Sequence, residues 1–466
     1  MIYFFRTIKR KDIKQMKKED RKLMASIKET FTKEFLNELA RNTKFIQRES
    51  CLTAESFISL CAFSEDSLYE TSLSKLSSTL LEQNNINITP QALNERFNQY
   101  AVEFLKSVMK KIITNQNKIL SQNHLKLQKI FNRINVTDST SFKISDNLRE
   151  NYKGSGSHGS DAAIKILLQY DILSGQFLTC DVDNGATSES SYIPRLQKQV
   201  QPKDLVLKDL GYFKMDDLKF IESSDAYYIS KVKKHTVIYI NDGKKCSQVD
   251  ILEKVKDLKP GQILDIPDSY IGANKKLKSR LIITRLSEEN KRKRAERSKD
   301  DAKRHKSRMS DERLDIWNSI NIYITNIDKD VLAAEQIHEL YTLRWQVEIM
   351  FKVWKSIFKI DKVKKVSLHR FECFLYGKLI LILLNSIIVF KAKEFVYSRH
   401  GKNISEYKAF AITKSQTCKL RESLLKSTNN FFKVILKLFI LILSYSVKSK
   451  KKGRKSTFEI LNFEKT

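Results

Sequence analysis

Two short apolar runs each close on an aspartate: Ile134-Asn-Val-Thr-Asp138 and Asp204-Leu-Val-Leu-Lys-Asp209. Both are too short for helices and rich in β-formers, so both read as buried strands. Between them lie a Gly/Ser-rich turn at residues 154–160 and two strand-like stretches, 162–173 and 176–183. Ser174-Gly175 separates those stretches and suits a hairpin turn. A helical stretch near 192–200 follows. The bland account of a strand-end aspartate is a turn-former or helix cap, and it covers either residue taken alone.

Strand, hairpin, helix, strand with carboxylates at strand ends is the order of a ribonuclease-H-like fold, and ligands gather at strand ends in sheets of this kind. Residues 225–287 are rich in Tyr, Val, Ile and Thr, with Asn241-Asp-Gly and Lys259-Pro-Gly as turn signals, so they read as a β-rich module. The expected fold class is therefore α/β. A ribonuclease-H-like core is interrupted by a β-rich insertion and flanked by all-α N- and C-terminal regions. The expected boundaries are 1–130 (helical), 131–224 (core, first part), 225–320 (insertion with a basic segment), 321–392 (core, second part) and 393–466 (helical). Within the first region helices are expected over 12–39, 54–62, 73–81 and 91–120. Thr89 would be an N-cap and Pro90 the first helical residue. The pair around 82–89 forms a loose helix-turn-helix with 91–99 as groove reader, a pattern any helical hairpin shares.

The stretch Tyr341 to Lys355 reads as one uninterrupted helix, with no Gly or Pro between Leu332 and Ile360. At about 100° per residue, Tyr341, Arg344, Glu348, Lys352 and Lys355 share a stripe roughly 80° wide. Leu343, Val347, Met350, Trp354 and Ile357 cluster on the side that would face a core. The stripe reads equally as a solvated face laced with i,i+4 ion pairs or as a metal-binding carboxylate flanked by phosphate-gripping groups.

Charge favours a polyanionic partner. The chain has 466 residues, with 85 Lys+Arg against 54 Asp+Glu and a formal net charge of +31, which points to nucleic acid more than to an acidic membrane. Lys291-Arg-Lys-Arg294 and Lys303-Arg-His-Lys-Ser-Arg308 concentrate it in one segment, and the end, 448–455, is a basic tail. Six scattered cysteines show no zinc spacing and suit a reducing compartment. The apolar runs 373–390 and 431–444 are interrupted by Lys or Asn, so both are expected as core helices and no membrane span is expected. The N-terminus shows no signal-peptide pattern, so the chain is expected in the cytoplasm, acting on the nucleoid.

Tyr341, Arg344, Glu348 and Lys355 fit Y-x2-R-x3-E-x6-K, and this stretch resembles the signature of bacterial insertion-sequence DDE transposases with a β-strand insertion domain. Val136-Thr-Asp138-Ser-Thr resembles that family's first aspartate motif and Asp209-Leu-Gly-Tyr-Phe its second. Phe45-Ile-Gln-Arg48 and the stretch 88–98 are similar to segments preceding the first aspartate. The likeness spans roughly residues 30–390. It implies that Asp138, Asp209 and Glu348 are catalytic and hold two divalent ions, Mg²⁺ or Mn²⁺. It implies that Tyr341, Arg344 and Lys355 hold DNA phosphates, and that a tryptophan of the insertion, here Trp317, stacks on a flipped base. A core role for Trp317 stays open, and Trp345 is expected to pack. The implied function is metal-dependent cut-and-paste excision and strand transfer of an insertion sequence. The implied partners are double-stranded DNA of element ends and target, on a homodimer. The alternatives are a catalytically inactive or repurposed DNA-binding protein of the same fold, and a ribonuclease-H-like nuclease acting alone.

Overall fold

The computed structural model describes residues 25–64, 70–119, 125–156, 160–304, 310–425, 428–449 and 455–463. Parts of the sequence readings lie outside them: the start of the first helix, the basic residues 305–309 and the tail 450–454. The chain divides into two compact units. One comprises Met1–Asn123, Ser139–Thr187 and Val347–Phe458, the other His124–Asp138, Ser188–Gln346 and Glu459–Thr466.

Among the described residues ten strands follow one another: β1 (Arg133–Lys143), β2 (Ala163–Asp171), β3 (Phe177–Asn184), β4 (Asp204–Lys208), β5 (Tyr227–Lys231), β6 (Ile238–Asn241), β7 (Cys246–Gln248), β8 (Ile263–Ile271), β9 (Leu277–Arg285) and β10 (Ile320–Thr325). Their hydrogen-bonded order is β3-β2-β1-β4-β5-β10-β9-β8-β6-β7. β1, β4 and β5 are parallel, and β2 and β3 form an antiparallel pair. The order 3-2-1-4-5 with those senses makes the core ribonuclease-H-like, with helical regions before and after it. β5, grouped by sequence with the β-rich module, pairs parallel with β4 as the fifth core strand. Its five residues carry no signal for partner or sense, which come from pairing at a distance.

The second unit holds β4 to β10 and the first half of β1. Antiparallel pairing runs from β5 through β10, β9 and β8 to β6 and β7. Leu218, Tyr228, Val255, Ile271, Leu281 and Ile324 anchor one apolar cluster beneath this sheet. Arg280 on β9 is nearly buried, and its fork holds Asp265 of β8 at 2.9 and 2.7 Å. Its remaining nitrogen donates to the carbonyls of Ile327 and Leu332. The loop ahead of helix Ala334–Thr342 is thereby fastened to the sheet, which fixes where that helix starts.

In the first unit the long helix Leu368–His400 packs against helices Gln99–Ile119 and Ala54–Phe63. By length and composition it could cross a membrane, but 89% of its most apolar window is buried inside the protein. Two of its polar groups find partners there: Asn385 Nδ2 donates to Leu381 O at 2.7 Å, and Lys393 pairs with Glu406. Thr89 caps helix Pro90–Arg96 as expected, accepting from the Ala92 amide at 3.2 Å. The expected helix over 91–120 is two helices. Asn98 accepts the amides of Tyr100 and Ala101 and starts the second one, Gln99–Ile119. An Asx cap competes with helix continuation wherever it finds free amides. Likewise the first expected helix breaks at 31–32, where Thr32 caps Lys33–Asn42.

Gly377 lets the long helix come close to Ala54–Phe63. A Cβ built there would lie 2.2 Å from the Cys61 carbonyl oxygen, far inside contact distance. In an ordinary helix, Gly→Ala gains roughly 1 kcal/mol. Here Gly377→Ala is expected to destabilise by about 1–3 kcal/mol through overpacking, read as a fall in the denaturant midpoint at unchanged slope.

Candidate active site

The pairing of β1 with β4 sets the site. Arg133 lies opposite Asp204, and the register runs to Val136 opposite Leu207. Asp204 is fully buried. It accepts Arg133 Nε at 2.8 Å, a second bond from the same fork, and Asn135 Nδ2 at 3.0 Å. Continuing that register by two residues brings Asp138 level with Asp209. Asp138 is not at a strand end, since β1 continues to Lys143. It sits where β4 stops and β1 no longer has that neighbour.

Asp209 stands at the N-cap position of the 3-10 turn Leu210–Tyr212, yet its side chain makes no capping bond. The carboxylate is turned to other partners. Arg344 Nη1 lies 3.7 Å from Asp138 Oδ2 and 3.7 Å from Asp209 Oδ2. Those separations exceed hydrogen-bond length, so the guanidinium acts on both carboxylates chiefly through charge. The two oxygens are therefore no further apart than about twice that distance.

The expected continuous helix is broken at this point. Helix Ala334–Thr342 gives way to the 3-10 turn Leu343–Trp345, and helix Gln346–Ser356 follows. The exposed stripe does not survive the break. Tyr341 is 4% exposed, and its hydroxyl donates to Lys208 O at 3.1 Å and Asp209 Oδ1 at 3.4 Å. Burial, reinforced by Asp209, pushes its phenol far above the usual range, so Tyr341 serves as a neutral donor. The Tyr323 ring packs on it at 4.9 Å between centroids, and Lys231 lies 5.4 Å over its ring. Trp345, expected to pack, is 51% exposed. The 3-10 turn rotates it off the apolar side.

A guanidinium between two carboxylates shows that the spot favours positive charge. Oxygen donors of this kind suit Mg²⁺ or Mn²⁺, and Mg²⁺ is commonly held by one or two carboxylates plus substrate phosphates. The donor set fits such an ion as a partial cage. Among the described residues no three His, Cys, Asp or Glu side chains gather closely enough to hold one by themselves.

Residues 130–384 match the family model "Transposase DDE domain". The chain is 39% identical over 463 residues to the transposase for insertion sequence element IS1151 of Clostridium perfringens, covering 97% of this chain and 98% of that protein. Its identity to the transposase for insertion sequence element IS231F of Bacillus thuringiensis subsp. israelensis is 34% over 445 residues, 92% of each. The chain belongs to the insertion-sequence DDE transposases. A solved piggyBac transposase synaptic complex with hairpin DNA aligns at a TM-score of 0.42 and 12% identity, over 90% of this chain and 83% of that one. That likeness is too low to add to the assignment.

Asp138, Asp209, Tyr341 and Arg344 of the transposase thus converge within the second unit. Glu348 and Lys355 belong to the first. Glu348 is half-buried in the opening turn of helix Gln346–Ser356, whose apolar side buries Val347, Met350 and Trp354 as the periodicity requires. Lys355 Nζ donates to Ser141 O at 3.0 Å, three residues past Asp138 on β1. Lys352 is exposed. Trp317 is half-buried, packs on the apolar cluster of the second unit and also lines an open cavity of about 490 Å³ with Lys233, His235 and Arg313.

Sequence reasoning missed His338, whose Nδ1 meets the Tyr323 hydroxyl at 3.0 Å behind Tyr341. Lone histidines carry no pattern, so nothing marked it. Burial lowers its pKa from the ordinary 6.5, with Glu339 opposing and Lys231 reinforcing. The folded state therefore binds this proton less readily than the unfolded chain. Its contribution to stability is complete above about pH 6.5 and is lost as pH falls toward the folded value. Melting temperature is expected to drop between pH 7.5 and 5.5, and less so in His338→Asn.

Proposed function

We propose that this transposase performs metal-dependent cut-and-paste transposition. It would bind the terminal inverted repeats of its element, cleave there and join the freed 3′ ends to target DNA. We further propose that it works in the cytoplasm on nucleoid DNA, as a homodimer on paired ends. The carrying observation is the Asp138–Asp209 pair at the switch between parallel strands, with Arg344 3.7 Å from both.

Asp138, Asp209 and Glu348 are proposed to hold two Mg²⁺ or Mn²⁺ ions. Bound there, such ions supply an activated nucleophile and stabilise attacking and leaving oxygens of an in-line displacement. The chain's own groups have separate tasks. Asp138 and Asp209 supply fixed negative charge at matched height, so little reorganisation is needed when cations and phosphate enter. Tyr341 holds Asp209 by its neutral hydroxyl and braces the Lys208 carbonyl, keeping the carboxylate oriented. Arg344 is freed from the carboxylates as other positive charge arrives, and its planar fork then suits a DNA phosphate. Lys355 supplies a point charge beside β1, exchanging the Ser141 carbonyl for phosphate. Trp317, on a cavity edged by Lys233, His235 and Arg313, is the candidate to stack on an unpaired base. Its apolar contacts would seat the indole. The domain scheme is proposed as 1–130 for end recognition, 131–224 and 321–392 together with β5 for the core, the rest of 225–320 for the insertion, and 393–466 for a helical support.

Two measurements test this. With labelled inverted-repeat DNA and Mg²⁺, Glu348→Gln is expected to lower cleavage by more than about 10³-fold while leaving DNA binding intact. Undiminished cleavage removes Glu348 from the ion-holding set. Cleavage without strand-transfer products would mark a nuclease, and binding without cleavage a repurposed DNA-binding protein. In Arg344→Gln the carboxylates lose their compensating cation. Mn²⁺ affinity, read from thermal shift without DNA, is expected to rise roughly tenfold, ~1.4 kcal/mol. One unit charge at about 4 Å exerts up to ~4 kcal/mol at an effective dielectric of 20. Unchanged or weaker Mn²⁺ binding would sink the exchange between Arg344 and metal.

A further inference from the structure

Helix Lys33–Asn42 ends on Thr43, and the next residue, Lys44, adopts a left-handed backbone with φ of 60°. Glycine is the residue usually found there. The turn it makes brings Arg41, Lys44 and Arg48 to one open cleft of about 1150 Å³, with Gln47 and Tyr100 also on its walls. Arg41, Lys44, Gln47 and Arg48 are all exposed, and so is Tyr100 at 36%. Among the described residues, the three cationic side chains have no ion-pair or hydrogen-bond partner. Arg133, Arg280 and Lys393, by contrast, are tied to Asp204, Asp265 and Glu406. Glu49 is the one acid among the lining residues.

The neighbouring helix Pro90–Arg96 has the opposite character. It exposes Gln91, Asn94 and Glu95, which can address base edges but cannot neutralise a phosphate. Its own cation, Arg96, donates to Ser50 Oγ at 3.2 Å, and Ser50 lines the cleft. A side-chain bond therefore links the polar helix to the cationic wall. Phosphate contacts position a protein on DNA, whereas base contacts specify the site. Cations suited to the first task and amides suited to the second stand side by side.

We propose that the cleft of Arg41, Lys44 and Arg48 is a phosphate-binding surface for duplex DNA that seats helix Pro90–Arg96 against the groove. The inference rests on the reading of the chain as a DNA-acting transposase. Arg41 and Arg48 take backbone oxygens by their forks, Lys44 adds a point charge, and the Tyr100 hydroxyl and Gln47 amide donate alongside.

The test uses the full chain and fluorescence anisotropy with two duplexes, one carrying the element's inverted repeat and one of scrambled sequence, across a salt series. The variant is Arg41→Gln with Lys44→Gln and Arg48→Gln. The charge-matched control is Lys198→Gln with Lys244→Gln and Lys254→Gln, all exposed. The cleft variant should keep its melting temperature, bind at least tenfold more weakly at 150 mM salt, and lose roughly 2–3 from the salt slope, ~0.9 per lost phosphate contact. The control should change little. Equal loss on both duplexes assigns the cleft to DNA of any sequence, including target. Loss confined to the inverted repeat assigns it to element ends. A cleft variant that matches the control on both duplexes overturns the proposal while DNA binding by the wild type stands. A wild-type chain that binds neither duplex overturns the DNA-acting reading together with the cleft.

Discussion

Everything at the candidate site depends on one ion pair: half-buried Arg133 gripping buried Asp204 at the foot of two parallel strands. Parallel strands have no tight turn to fix their register, and here about seventy residues separate the partners. A slip of one residue would turn every side chain to the opposite face. With Arg133 and Asp204 paired, and Asn135 adding a third bond to the same carboxylate, only one alignment leaves the buried charge satisfied. Removing one partner of such a pair is costly, because the other is left buried alone. The arrangement enforces alignment more than it adds stability. Five residues farther along each strand, it delivers Asp138 and Asp209 at equal height.

From there the geometry builds outward. Asp209 is spared from capping, Tyr341 takes one of its oxygens, and Arg344 spans it and Asp138. Tyr341 is held in turn by Tyr323, whose hydroxyl meets His338. The residues proposed to meet DNA are themselves engaged in this state, with Arg344 on carboxylates and Lys355 on a backbone carbonyl. Arg344 thereby offsets part of the negative charge that Asp138 and Asp209 bring together.

Much of this was legible in sequence, because the signals were local. Strand runs ending on or near aspartates, the Thr89–Pro90 cap and the apolar side of helix Gln346–Ser356 all follow from periodicity and turn chemistry. The failures share a cause. The break at Leu343–Trp345 contains no Gly or Pro, and is fixed by where Tyr341 and Arg344 find partners on another strand. The place of β5 beside β4, the buried state of Tyr341 and the exposure of Trp345 are likewise settled by contacts distant in sequence. A helical wheel assumes an unbroken helix, so it counted Tyr341 among exposed residues.

The position of β10 has a consequence for how the chain is made. It fills the slot between β5 and β9 although nearly ninety residues separate it from β5. Until synthesis passes Thr325, β5 and β9 each present an unpaired edge, the kind of surface that recruits other strands. A translation product truncated before Ile320 would carry both edges permanently. Such fragments are expected to aggregate or be degraded, which would limit how far interrupted synthesis could yield soluble, competing partial copies of the chain.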